Sequence, residues 1–231
     1  MDQAEQLRNL IKANSQAKKP VARVLTVTSG KGGVGKSNTS INLAIQFRKM
    51  GQKVIILDAD FGLANIEIMF GAVPKYNLSD LIYEGKGIKE IITRGPMGVG
   101  FISGGSGVAS LSNMTQDNIQ CIVQSLAELD SLADVVIIDT GAGISDAVME
   151  FLVASGEILL VTTPEPTSIT DSYSLLKALS MHPKYEREET KIKMIANKVQ
   201  KSGDGGDLYK KLNVVVEKFL KTPMEYLGEV P

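Results

Sequence analysis

Short apolar runs that do not alternate with polar residues recur along the chain: VARVLTVTS (21–29), KVIILDAD (53–60), VGFIS (99–103), DVVIID (134–139), EILLVTT (157–163) and IKMIANK (192–198). Each ends in small or polar residues, and such runs predict strands buried on both faces. Between them lie stretches with apolar residues at helical spacing: SNTSINLAIQFRKMG, LSDLIYEG, TQDNIQCIVQSLAELD, SDAVMEFLVAS, SITDSYSLLKALSM and DLYKKLNVVVEKFL. Strands separated by helices predict an α/β fold, a single-domain, mostly parallel twisted sheet flanked by helices on both faces.

The first 20 residues read differently. Asp2 and Glu5 resemble a capping box, and Leu7, Leu10 and Ile11 form a narrow apolar stripe ahead of the polar run KANSQAKKP. The pattern predicts an arm and linker over 1–20 and a domain over 21–231. A helix this short is marginal alone in water, so it must dock on its own domain or on a partner.

Composition narrows the classes. The chain of 231 residues is 43% hydrophobic and 22% charged with a formal net charge of -1, the profile of a folded domain without a generally basic surface. No apolar run approaches the roughly 18 residues that span a bilayer, and the start MDQAEQLR is polar where a secretory signal would be apolar. A cytoplasmic location is expected. Cys121 is the sole cysteine, so no disulfide or cysteine pair for a metal cluster forms within the chain. Its setting in NIQCIVQSL predicts a buried helix residue. His182, the sole histidine, precedes Pro183 near a helix end, a surface or capping position.

Chemistry concentrates in TSGKGGVGKS (28–37). The pattern G-x-x-x-x-G-K-[ST] is met by Gly30, Gly35, Lys36 and Ser37, placed between a predicted strand and a predicted helix. Glycines let backbone N–H groups converge on phosphate oxygens, and the helix N-terminus adds its dipole. Lys36 then reaches the β- and γ-phosphates and Ser37 binds Mg²⁺. Lys31 has no part in that template. Two readings stand: a solvated loop charge, or a charge supplied to a phosphate held by a second subunit.

SGKGGVGKS resembles the deviant Walker A loop of the MinD/ParA family of ATPases, whose signature lysine falls at Lys31. The resemblance implies a P-loop NTPase of MinD-like fold that hydrolyses ATP to ADP with Mg²⁺ and closes on ATP as a homodimer. Lys31 would contact nucleotide across the interface, as an arginine finger does. It also implies an ATP-binding set of Gly30, Gly32, Gly33, Val34, Gly35, Lys36, Ser37 and Asn38, with Asn197 in MIANKV on adenine and, more weakly, Glu229 and Pro231 beside the base. In ILDADFGLAN, Asp60 would orient or deprotonate the attacking water and Asp58 would stand near Mg²⁺. Asp139, ending DVVIID, would act on Mg²⁺ through water. Gly141 and Gly143 would let the following loop move with the γ-phosphate, although TGAG departs from the family's usual proline there. Gln200, where guanine-specific proteins carry Asp, points to ATP over GTP. SGGSGVAS (103–110) lacks a lysine and reads as a turn.

Charge and cysteine separate the branches. One Cys121 argues against the iron–sulfur members, and residues 182–231 hold ten basic and eight acidic side chains, too balanced for a DNA-partition surface, so no DNA is expected. DQAEQLR is similar to the DQAxxLR segment of the FlhG (YlxH) branch, ATPases that control flagellar number and placement. There the segment activates FlhF, an SRP-type GTPase, and Asp2, Gln3, Ala4, Leu7 and Arg8 match it. By analogy, partners would include flagellar basal-body (C-ring) proteins. The family's C-terminal membrane-binding helix is expected beyond Pro231, making the ATP-bound full-length form peripherally membrane-associated. The alternative is a cell-division or DNA-partition positioning ATPase.

Overall fold

The computed structural model describes residues 21–61, 65–105 and 114–231. The arm with Asp2, Gln3, Ala4, Leu7 and Arg8, and residues 106–110 of SGGSGVAS, lie outside the described residues. The strands are β1 (Arg23–Thr28), β2 (Val54–Ala59), β3 (Thr93–Arg94), β4 (Gly100–Ile102), β5 (Val135–Thr140), β6 (Glu157–Thr162), β7 (Lys191–Ala196) and β8 (Met224–Glu229). The helices are α1 (Lys36–Lys49), α2 (Asn65–Phe70), α3 (Leu78–Tyr83), α4 (Gln116–Ser125), α5 (Asp146–Val153), α6 (Pro166–Ser180) and α7 (Asp204–Leu220). One eight-stranded sheet runs in the order β3-β4-β2-β5-β1-β6-β7-β8, and every pair is parallel except β3–β4.

The absence of alternation in the strands follows from two covered faces. Leu25, Val27, Ile56 and Ile137 pack with Ile41 and Ala44 of α1 on one side. Their neighbours Ile55, Leu57, Val136 and Ile138 pack with Leu78 and Leu81 of α3 and Ile119 and Ile122 of α4 on the other. Ile158, Leu160, Ile192 and Met194 meet α5, α6 and α7 in a third cluster. β2 and β5 are buried at all six positions each, and their apolar residues contribute to the driving force for folding.

β1 lies between β5 and β6, and the chain leaves it toward both edges of the sheet. Such a reversal opens a crevice at the carboxyl ends of the strands. Four of the helices begin under a side chain of the fold, whereas α1 and α6 do not. Asn77 and Asp80 form a capping box on α3, Thr115 caps α4, Ser145 caps α5, and Glu229 accepts from the N–H groups of Gly203 (2.9 Å) and Gly205 (3.0 Å) at α7. α1 begins at Gly35 with no side-chain cap, leaving its first-turn N–H groups for a ligand.

Two further elements lie beyond those expected, and one expectation changes. MEYLGE forms β8 on the sheet edge, with Glu225, Tyr226 and Leu227 exposed, and NIEIMF forms α2. Cys121 is exposed, because α4 buries Ile119 and Ile122, and a residue two beyond Ile119 falls on the opposite side of a 3.6-residue turn. His182 accepts from Lys184 N–H (3.3 Å) in the turn after α6, in keeping with its expected place. No helix among the described residues is long and apolar enough to cross a membrane.

Candidate active site

The loop between β1 and α1 wraps a cleft of about 490 Å³ bordered by Gly33, Gly35, Lys36, Ser37, Asn38, Asp60 and Asn65. Gly35 takes φ 98°, a conformation that side chains resist, and a Cβ there would stand 2.2 Å from Asn197 Nδ2. Gly30 serves a different purpose. A Cβ on it would reach 2.1 Å from the Asp171 backbone, so it is glycine because α6 crosses against the start of the loop.

The charges of the cleft are buried and incompletely paired. Lys36 is 7% exposed and makes no ion pair among the described residues; burial lowers its pKa, opposed by Asp139 and Asp60. Asp139 is fully buried, and burial raises its pKa against the nearby hydroxyls of Ser37 and Ser40. Its Oδ1 accepts from Ser40 Oγ (2.9 Å), while its Oδ2 is buried with no partner. An orphaned carboxylate oxygen close to Ser37 fits the hydration shell of a hard cation such as Mg²⁺.

Asp58 stands beside Asp139 across the β2–β5 pair, but both its oxygens are engaged by backbone. Oδ2 accepts from Ile66 N–H (3.0 Å) and Oδ1 from Asp60 N–H (3.2 Å), so Asp58 shapes the turn after β2 and does not border the cleft. Burial pushes its carboxyl up to about 7, more than those N–H groups hold it down. Asp60 does face the cleft. Asn65 Nδ2 donates to its Oδ2 (3.0 Å), and burial raises its pKa against the pull of Lys36. Gly141 lies against Asp60, where a Cβ would come within 3.3 Å of Oδ1, and Gly143 N–H bonds Ser29 O (3.0 Å), tying the loop after β5 to the end of β1.

Lys31 lies apart from this cluster. Its Nζ donates to Glu165 Oε2 (2.5 Å) and Thr167 Oγ1 (2.8 Å) where α6 begins, and the side chain is 34% exposed. Asn197 sits against the loop, donating from Nδ2 to Val34 O (2.7 Å), with Oδ1 and a second N–H as its remaining hydrogen-bonding groups. Glu229 is occupied in capping α7, and Pro231 is exposed. The structure adds Asn65, Ser40, Glu165, Thr167 and Lys198 to the site. None carried a local signal in the sequence except Lys198, adjacent to Asn197.

The family model described as ParA: NUBPL iron-transfer P-loop NTPase matches residues 20–197. Antiactivator FleN of Pseudomonas aeruginosa is 37% identical over 209 residues, covering 90% of this chain and 73% of that protein. The flagellum site-determining protein YlxH of Helicobacter pylori is 34% identical over 235 residues, covering 99% of this chain and 78% of that protein. Among solved structures, the septum site-determining protein MinD of Pyrococcus horikoshii OT3, complexed with Mg-ADP, superposes with a TM-score of 0.73 at 21% identity, covering 91% of this chain and 82% of that one.

Proposed function

Because this chain belongs to the ParA family of P-loop NTPases and shares the fold of its MinD members, we propose that it is an ATP-driven dimerising switch that regulates flagellar number and placement. The flagellar role rests on the likeness to FleN and YlxH. The observation that carries the switch is the division of labour between two lysines of one loop: Lys36 is buried in its own cleft, while Lys31 is held outside it by Glu165 and Thr167.

In this reading the open N-terminus of α1 and Lys36 hold the phosphates of ATP. Ser37 and, through water, Asp139 would hold Mg²⁺, which when bound would neutralise phosphate charge. Asp60, oriented by Asn65, positions the attacking water and accepts its proton, a role for which a raised pKa suits it. Lys31 leaves Glu165 and delivers its charge to the phosphates of a second copy, so hydrolysis depends on pairing. Ile68 and Ile144, exposed near the cleft, give a second copy apolar surface to cover.

Light scattering on the eluted protein tests the switch. Wild type is expected to be monomeric with ADP and dimeric with ATP. Asp60→Ala should remain a dimer, with hydrolysis reduced about a hundredfold or more; Lys31→Ala should remain a monomer. An Asp60→Ala protein that hydrolyses ATP at the wild-type rate defeats the assignment.

The arm over 1–20 is the proposed contact for FlhF, and basal-body proteins and a membrane-binding C-terminal segment complete the proposed setting. Substituting Leu7 or Arg8 by Ala is expected to lower stimulation of FlhF GTP hydrolysis while leaving this chain's own ATP hydrolysis intact. Undiminished stimulation by both variants would exclude the arm.

A further inference from the structure

We infer that Asn197 and Lys198 form a clamp that aims the phosphate-binding amides, with Lys198 a positioning residue for nucleotide. The inference rests on the nucleotide reading above. β7 ends at Ala196, and Asn197 N–H still bonds Thr162 O (2.8 Å). At Lys198 the backbone enters the left-handed region at φ 57°, unusual for a residue with a side chain. The bend is pinned from both sides, since Val199 N–H bonds Val230 O (3.0 Å) and Val230 N–H bonds Ala196 O (2.8 Å). From it two side chains reach the loop some 160 residues earlier in the chain: Asn197 Nδ2 donates to Val34 O and Lys198 Nζ to Gly33 O, both at 2.7 Å.

Peptide planarity supplies the consequence. Across a trans peptide the carbonyl and the next residue's N–H point in opposite directions. Holding the Gly33 and Val34 carbonyls toward the end of β7 therefore turns the N–H groups of Val34 and Gly35 the other way, where anionic oxygens are bound. Those amides would otherwise have to be ordered by the ligand at its own entropic expense. Lys198 adds charge to the orientation and contributes to holding the Glu165 carboxyl below its usual range, after the larger effect of Lys31.

Isothermal titration of Mg-ADP into the full chain tests the clamp, with Lys198→Met, Lys198→Arg and the exposed control Lys201→Met beside wild type. Lys198→Met is expected to bind about fivefold more weakly, the scale of one charged hydrogen bond weakened by solvent. Lys198→Arg should recover most of the loss, and Lys201→Met should match wild type. In ATP hydrolysis the loss should fall on KM with kcat retained, and in the nucleotide-free protein the amide NMR resonances of Val34 and Gly35 should move in Lys198→Met. Should Lys198→Met fail to fold, Lys198→Gln takes its place. Wild-type affinity together with unmoved amide resonances would overturn the clamp. A wild-type chain that binds no Mg-ADP would overturn the nucleotide reading instead, and the amide resonances would still decide the clamp.

Discussion

Glu157 and Asp139 are acidic residues at opposite ends of adjoining parts of one sheet, and the protein treats them in opposite ways. Glu157 opens β6, where Arg23 Nε (2.6 Å), Arg23 Nη2 (2.8 Å) and Lys193 Nζ (2.9 Å) donate to it. These cations, Arg23 first, hold its carboxyl down at about 2. Asp139 closes β5 with one oxygen orphaned, and the nearby Lys36 is buried without an ion pair among the described residues. At the amino ends of the strands charge is matched within the fold; at the carboxyl ends it is left for something else to match. Buried charge that the fold does not neutralise costs stability and marks a binding site.

The largest expected effect comes from Lys36→Met. It should abolish measurable nucleotide binding, a loss of about a hundredfold or more, because the buried ammonium is the charge that phosphate must meet. Thermal stability of the nucleotide-free chain should hold or rise, since no internal ion pair is lost and a desolvated cation is removed. A marked fall in apo stability would break the contrast between the two ends.

A smaller effect, of the opposite sign, is expected from Glu157→Gln: a loss of about 1 kcal/mol for a partly screened network. Its pH dependence follows from linkage. The carboxyl of Glu157 titrates lower in the folded chain than in the unfolded one, from 4.5 to about 2. Its contribution is therefore full above pH 4.5 and is lost as pH falls toward 2. Asp58 runs the other way. Raised from 3.8 to about 7, it binds its proton more tightly when folded, so it erodes stability as pH climbs through that range. Asp58→Asn should gain on wild type over that climb, and Glu157→Gln should lose on it between pH 2 and 4.5. Denaturant unfolding across pH measures both slopes, and parallel slopes would show that the two environments are not distinct.

What could be read in the sequence follows the same division between local and distant. The central strands were legible because burial on both faces leaves an unbroken apolar run, as in VVIID and VIILDA. The phosphate loop was legible because its glycines, Lys36 and Ser37 act within a few residues of one another. β8 was not, since an edge strand with Glu225, Tyr226 and Leu227 exposed has no need of that pattern. Cys121 was misplaced because apolar neighbours in NIQCIVQSL do not reveal which side of α4 faces the sheet. Lys198, Glu165 and Asn65 matter through contacts that only folding brings about, and Gly30 proved to be glycine for the passage of α6.

The central claim is that Lys31 belongs to the neighbouring cleft, and mixing two inactive variants tests it most directly. Lys31→Ala retains an intact cleft with Asp60 but offers no lysine; Asp60→Ala offers its lysine but has no competent cleft. Mixed before ATP is added, each hetero-pair has one complete site, so hydrolysis well above that of either variant alone should return. If Lys31 served its own cleft, neither partner could complete a site, and the mixture would stay as inactive as its components.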